Sequence, residues 1–257
     1  MNSFERRNKI VELVNENGSV LVGELSNSFG TSEVTIRADL RLLEEKRLLT
    51  RFHGGAAKLS TVALEPENDE VVLEERYLLA KDPKKRIAQS AALRVKPHDT
   101  VILDSGSTTM LIAEELIKMS DITVITNNLP AAFVLSENKD ITLVVCGGTL
   151  RHKTRSMHGA IAELSLQGIS ADVMFVGADG LDATHGITTF NEGYSISDTM
   201  AQAAKEVIAV VDSTKFNRRG FNLVLPMKKI DCVITDSDIS DSDKKALLET
   251  GTELVVV

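Results

Sequence analysis

The sequence predicts an α/β chain in two parts, a small helical front and a larger part built on a mostly parallel sheet. Two observations carry this prediction. Residues 3–45 hold three stretches with helical apolar spacing, followed by a short glycine-containing basic segment. From residue 100 onward, short β-branched runs alternate with helical stretches, as strands buried on both faces do.

Phe4, Ile10, Leu13 and Val14 share one face of a helix over 3–16, and Asn17-Gly18 stops it. A second helix over about 22–29 is expected to bury Val22, Leu25 and Phe29, with Gly30 as the turn. Thr31 or Ser32 caps a third helix, and Glu33 suits the positive end of its dipole. Ile36, Leu40 and Leu43 face inward on that helix, while Val34, Arg37, Ala38 and Arg41 face out. This outward face is small and basic and can enter a major groove. Arg51-Phe52-His53-Gly54-Gly55-Ala56-Ala57-Lys58 then reads as a basic hairpin. The sum is an N-terminal winged helix-turn-helix. Its expected DNA-binding residues are Ser32, Val34, Thr35, Arg37, Ala38, Arg41, Arg51 and His53.

Charge supports that reading only locally. The chain has 257 residues and a formal charge of −8, yet residues 1–60 hold 9 Lys and Arg against 8 Asp and Glu. Phosphate contacts must therefore come from placed side chains and not from a basic field.

Residues 60–72, with Glu65, Pro66, Glu67, Asn68, Asp69 and Glu70, read as an acidic linker. Helical spacing resumes near Leu73 and runs to about Val95, with Pro83 breaking or starting a helix. Seven strands are expected at 101–103, 122–125, 141–145, 173–176, 207–211, 232–234 and 254–257. The domains so delimited are 1–59, a linker at 60–74, and 75–257 for effector binding and oligomerisation.

Open parallel sheets bind ligands at the carboxyl ends of their strands, and the chemically suggestive residues gather there. Asp104-Ser105-Gly106-Ser107-Thr108-Thr109 lies between the first strand and a helix and offers hydroxyls, backbone N–H groups and a helix N-terminus to a phosphate. Asn127 and the pair Gly147-Gly148 end the next two strands; Asn127 could meet a sugar hydroxyl, and the glycines admit close approach. Asp179 and Asp182 follow the fourth run, and Lys215 of Asp212-Ser213-Thr214-Lys215 supplies a cation. The expected effector residues are Asp104 to Thr109, Asn127, Gly147, Gly148, Asp179 and Lys215.

Other chemistry is poorly represented. Cys146 and Cys232 lack metal-ligand spacing and read as buried thiols in a reducing cytoplasm. His152 and His158 are six apart with no third ligand, and His98 and His185 read as surface residues. No Walker loop, dinucleotide fingerprint or nucleophile elbow is present. No cofactor and no metal are expected. The chain shows no membrane-length apolar run and no signal core, so a cytoplasmic location without membrane attachment is expected.

Arg6, Ile10, Val14, Ser32, Thr35, Ile36, Arg37, Asp39 and Leu40, with the wing Thr50 to Ala56, resemble the DeoR family of sugar-operon repressors. The blocks from Asp104 to Thr109, Cys146 to Thr149, Val176 to Gly180 and Asp212 to Phe216 are similar to the same family, so the resemblance spans nearly the whole chain. Within it, the opening Met1 to Ile10 and Arg151 to Gly159 look most like repressors of galactitol operons. The resemblance implies a repressor that binds double-stranded operator DNA as a homo-oligomer and is released by a phosphorylated sugar or sugar alcohol. It also implies a sensor domain resembling sugar-phosphate isomerases and deaminases. Their proton-transfer residues are incomplete here: Phe190-Asn191-Glu192-Gly193 lacks the isomerase lysine, and Leu181 stands where the deaminases have histidine. Asp179, Asp182 and Glu192 keep an isomerase or deaminase with an accessory DNA-binding domain as the alternative. A sheet domain serving only for oligomerisation is a third reading.

Overall fold

In the computed structural model the apolar spacing of the front resolves into three helices and a small sheet. The structure describes residues 3–45, 48–52, 55–57, 73, 76, 79–190, 196–216 and 218–257. His53, Gly54, Lys58, the 60–72 linker and Glu192 lie outside them. Two units emerge, Met1–Pro66 and Glu67–Val257.

The first unit runs α1 (Ser3–Asn17), β1 (Ser19–Leu21), α2 (Val22–Phe29), α3 (Glu33–Glu45), β2 (Thr50–Phe52) and β3 (Gly55–Ala57). The three strands form one antiparallel sheet in the order β1-β3-β2. β1 is absent from the expectations above. Only Val20 turns inward between two exposed neighbours, and three residues give no periodic signal. Ile10, Val14, Leu25, Ile36, Leu40 and Leu43 are buried together, and Gly30 takes the left-handed conformation that ends α2. Asp39 is buried on α3 and accepts from Arg6 Nε at 2.6 Å, with Arg7 at 3.5 Å, which ties α3 to α1.

The second unit continues with α4 (Lys81–Ala92), β4 (Thr100–Leu103), α5 (Ser107–Leu116), β5 (Ile122–Thr126), α6 (Leu129–Leu135) and β6 (Ile141–Val145). A hairpin of β7 (Thr149–Arg151) and β8 (Ser156–His158) follows, then α7 (Ala160–Leu164) and β9 (Ala171–Val176). The chain ends through β10 (Gly180–Asp182), β11 (Gly186–Thr189), α8 (Ser197–Gln202), β12 (Ala204–Val210), β13 (Asn222–Pro226), β14 (Cys232–Thr235), α9 (Asp241–Glu249) and β15 (Glu253–Val256).

Seven strands pair in parallel in the order β15-β14-β12-β9-β4-β5-β6. Their alternate residues feed two cores. Ile102, Met174, Val176 and Ala209 go to one face, and Val101, Leu103, Phe175 and Val210 to the other. Burial on both faces is why these strands read as unbroken apolar runs. The chain lays β4, β5 and β6 outward in one direction and then returns to the other side of β4 with β9. That reversal is the sheet's topological switch point. A second, antiparallel sheet, β10-β11-β13, completes the unit. Pro83 sits in the first turn of α4 and so starts the helix.

Candidate functional site

On the first unit, the candidate nucleic-acid face is the outer side of α3. Ser32 Oγ accepts the Thr35 N–H at 3.3 Å and lies 2.9 Å from the Thr35 hydroxyl, so the cap holds both polar residues at the start of the helix. Val34 is 73% exposed, and Arg37, Ala38 and Arg41 are exposed beside it. The Arg37 guanidinium is 2.6 Å from the Glu33 carboxylate, one turn back. Arg51 lies in β2, its side chain outside what is described.

On the second unit, a cavity of about 90 Å³ opens over the carboxyl ends of β4, β9 and β12, at the switch point. Asp104, Ser105, Gly106, Ser107 and Thr108 supply one wall, Gly177, Ala178 and Asp179 another, and Asp212 and Lys215 a third. Ser107 begins α5, and its cap residue Gly106 contributes no side-chain bond to the first turn. The first-turn N–H groups therefore lack an intrahelical acceptor. Gly106 has φ 154° and ψ 167°, backbone that a side chain strongly disfavours, and its carbonyl accepts from Asn128 Nδ2 at 3.2 Å.

Cations and carboxylates share the walls. Arg76 lies 3.0 Å from Asp179 Oδ1. Lys84 is buried, and its Nζ donates to the carbonyls of Arg76 and Leu79 at 2.8 Å each and stands 3.8 Å from Asp212 Oδ2. Burial pulls its pKa down to about 8, against the pull of Asp212, while Lys215 and Arg76 add to the depression. Burial likewise lowers Lys215, which Asp212 partly restores. Burial pushes Asp179 up, yet Arg76, the Thr189 hydroxyl and the Phe190 N–H together leave it below the ordinary value. Burial raises Asp104, which accepts from the Ser197 hydroxyl and the Ser105 N–H. The result is a charged pocket with backbone donors at one end, suited to a small anionic polyol.

Several expected residues stand apart from it. Thr109 is fully buried and spends its hydroxyl on the Gly106 carbonyl at 3.1 Å. Asn127 donates to the Met157 carbonyl at 3.1 Å, which fastens β8 to the end of β5. Gly148 admits the β8 backbone: a Cβ there would lie 2.5 Å from the His158 carbonyl. Gly147, beside Ile161, does not line the cavity either. Asp182 turns to His185, 2.9 Å away.

The cavity also takes residues the sequence reading missed, namely Arg76, Lys84, Arg151, Thr154, His158 and Ser197. Lys84 left a trace, because it shares the apolar stripe of α4 with Ile87, Ala88 and Ala91. A lysine on a buried face is costly unless it has work there. Cys146 and Cys232 are buried free thiols, pushed by burial up to about 11 and about 12. Among the described residues there is no cluster of three or more metal-ligating side chains, and no helix long and apolar enough to cross a membrane.

Comparison with known proteins agrees along the length of the chain. A DeoR-like helix-turn-helix domain matches residues 6–62, and the DeoR C terminal sensor domain matches residues 80–237. The chain belongs to the DeoR family. A protein of Escherichia coli O157:H7 carrying the name of an aga operon transcriptional repressor is 35% identical over 256 residues, covering 98% of this chain and 93% of that protein. The lactose phosphotransferase system repressor of Streptococcus mutans is 32% identical, covering 99% and 100%. The regulator GolR of Listeria innocua is 32% identical, covering 96% of each. Among solved structures, ribose 5-phosphate isomerase A of Methanocaldococcus jannaschii aligns with 53% of this chain and 54% of its own, at 21% identity and TM-score 0.39. The chain is thus a DeoR-type transcriptional repressor of sugar operons, with a DNA-binding domain and a small-molecule sensor domain. It is not an enzyme, which removes the isomerase or deaminase alternative.

Proposed function

We propose that this DeoR-family repressor acts in the cytoplasm on a galactitol operon and that a phosphorylated sugar or sugar alcohol relieves repression. The observation that carries the effector reading is the convergence of the α5 N-terminus with Arg76, Lys84 and Lys215 in one cavity. A phosphate there meets first-turn N–H groups, the Ser107 and Thr108 hydroxyls and cations. Asp104, Ser105, Gly106 and Asp179 would meet the polyol or shape its seat, with Thr109, Asn127, Gly147 and Gly148 supporting the walls from behind. One relative is named for a lactose phosphotransferase system, which agrees with a phosphorylated effector. The galactitol reading rests on the likeness of residues 1–10 and 151–159.

Operator reading falls to Ser32, Val34, Thr35, Arg37, Ala38 and Arg41 of α3, with Arg51 and His53 of the wing. The division into 1–59, a linker at 60–74 and 75–257 goes with these roles, and the last part also joins the copies of an oligomer.

Titrating hexitol and ketose phosphates against a preformed operator complex tests the effector reading. Galactitol 1-phosphate or a close relative should release the DNA. A Ser107→Ala, Thr108→Ala double variant loses two donors to a charged acceptor, each worth about 1.5–3 kcal/mol. It should still repress yet need far more effector. Release at wild-type concentrations would place the phosphate elsewhere.

A further inference from the structure

The residues that enter the sensor unit are fastened in part by Lys84 and Arg76, the donors an anion in the cavity would claim. Leu73 is 1% exposed, and its N–H donates at 3.1 Å to the carbonyl of Lys153, in the turn between β7 and β8. The strands of that hairpin bring Arg151 and His158 to the cavity. Arg76 reaches Asp179 at 3.0 Å. The carbonyls of Arg76 and Leu79 both hang on Lys84 Nζ at 2.8 Å.

An ammonium has three donors. Two of those on Lys84 hold this entry segment by its carbonyls, and Asp212 is the nearest carboxylate to the nitrogen. Arg76, the other cation of the segment, is engaged by Asp179. The two carbonyls offer the Lys84 ammonium only dipoles, whereas a phosphate dianion offers it full negative charge in a buried site, so the phosphate outcompetes them for Lys84. Anchoring the segment and binding the anion therefore draw on one set of donors.

We propose that Leu73, Arg76 and Leu79 form a strap that the effector's phosphate unfastens by taking over Lys84 and Arg76, and that this release carries effector occupancy toward the DNA-binding unit. The proposal rests on the reading of the cavity as a phosphate site. In sequence the strap directly follows the residues that join the two units. The two states differ in who holds Lys84, which is the differential contact that coupling between two sites needs. Coupling is reciprocal, so loosening the strap by other means should favour the effector.

Hydrogen exchange on the full-length wild-type protein, with and without saturating galactitol 1-phosphate, reads the strap directly. The Leu73 amide should exchange on the order of tenfold faster with the ligand bound, as a locally opened segment does. Unchanged or slower exchange with ligand bound overturns the strap. Leu73→Ala, outside the cavity, gives an independent arm. It should bind galactitol 1-phosphate several-fold more tightly, and the ratio of operator affinities without and with ligand should fall toward one. If that ratio and the ligand affinity both match wild type, the strap is wrong while the phosphate site stands. If galactitol 1-phosphate and inorganic phosphate both fail to raise the melting temperature of wild type, the site itself is wrong and the strap falls with it.

Discussion

At the scale of single residues, each of the two proposed recognition events makes its own prediction. Arg37 is expected to read or clamp DNA, yet in the free protein it pairs with Glu33 on the same exposed face. Such an exposed pair contributes little stability of its own. Its effect on DNA is larger, because removing Arg37 also leaves the Glu33 carboxylate uncompensated beside phosphates. Arg37→Ala should weaken operator binding by on the order of 1–3 kcal/mol in a gel-shift titration. Part of that loss should return in the Glu33→Gln, Arg37→Ala double variant. Wild-type affinity in a folded Arg37→Ala protein would remove α3 from the interface.

In the sensor, Lys84 is expected to make effector binding pH-dependent. Its folded pKa of about 8 lies below the unfolded 10.5. The unfolded chain thus binds more protons between those values, and the cost of burying the charge is full below about 8 and relieved as pH rises toward 10.5. A phosphate dianion favours the charged ammonium and raises that pKa. Effector binding near pH 8.5 should therefore take up a proton and weaken at higher pH. Calorimetry in two buffers of different ionisation enthalpy measures the uptake. Lys84→Arg, which does not titrate in this range, should abolish it. Uptake unchanged in that variant would assign the proton to another group.

At the scale of elements, what was legible followed from periodicity. Each of the seven apolar runs became a strand of the parallel sheet, and the central strands are apolar at successive positions because both faces of that sheet are covered there. The three helices of the front were equally plain from Ile10, Leu25, Ile36 and their partners. Of the strands that were missed, some pair at a distance and others are short. β13 pairs with β11 across a long stretch of chain, with a register shift between Ile187 and Thr188. β7 and β8 are three residues each and carry polar side chains to a cavity instead of apolar ones to a core. The site was half visible for the same reason. Loops that follow strands announce themselves through Gly106, Asp179 and Lys215, whereas Arg76 and Arg151 reach the cavity through tertiary contacts that no local spacing encodes. Gly106 tests how far the strand-to-helix turn depends on its backbone. An added Cβ would meet nothing closer than Thr109 Oγ1 at 3.4 Å, so the cost of Gly106→Ala is conformational, not steric. Holding alanine at φ 154° should cost on the order of 1–3 kcal/mol. The variant should melt lower and lose most of the stabilisation that effector gives the wild type. An unaltered melting temperature and ligand response would mean that the turn can re-form without glycine.

For the whole molecule, charge argues for assembly. The chain is acidic overall, and its front holds 9 basic against 8 acidic residues, so a single winged helix has no strong field to gather phosphates. Affinity for an operator is then expected to come from linking several such units. Joining them turns the second binding event into an intramolecular one, which raises apparent affinity by on the order of 10²–10⁴ without any new contact. Point-group symmetry in the oligomer would match a repeated or palindromic operator, with half-sites spaced by the helical turn of DNA. Sedimentation of the full chain should show a dimer or larger species at micromolar concentration. A fragment of residues 1–60 should bind the same operator on the order of a hundredfold more weakly, and one half-site should serve it nearly as well as two. The full-length protein should instead lose most of its affinity when one half-site is scrambled. A monomer with full operator affinity, indifferent to the second half-site, would show that α3 and the wing suffice alone.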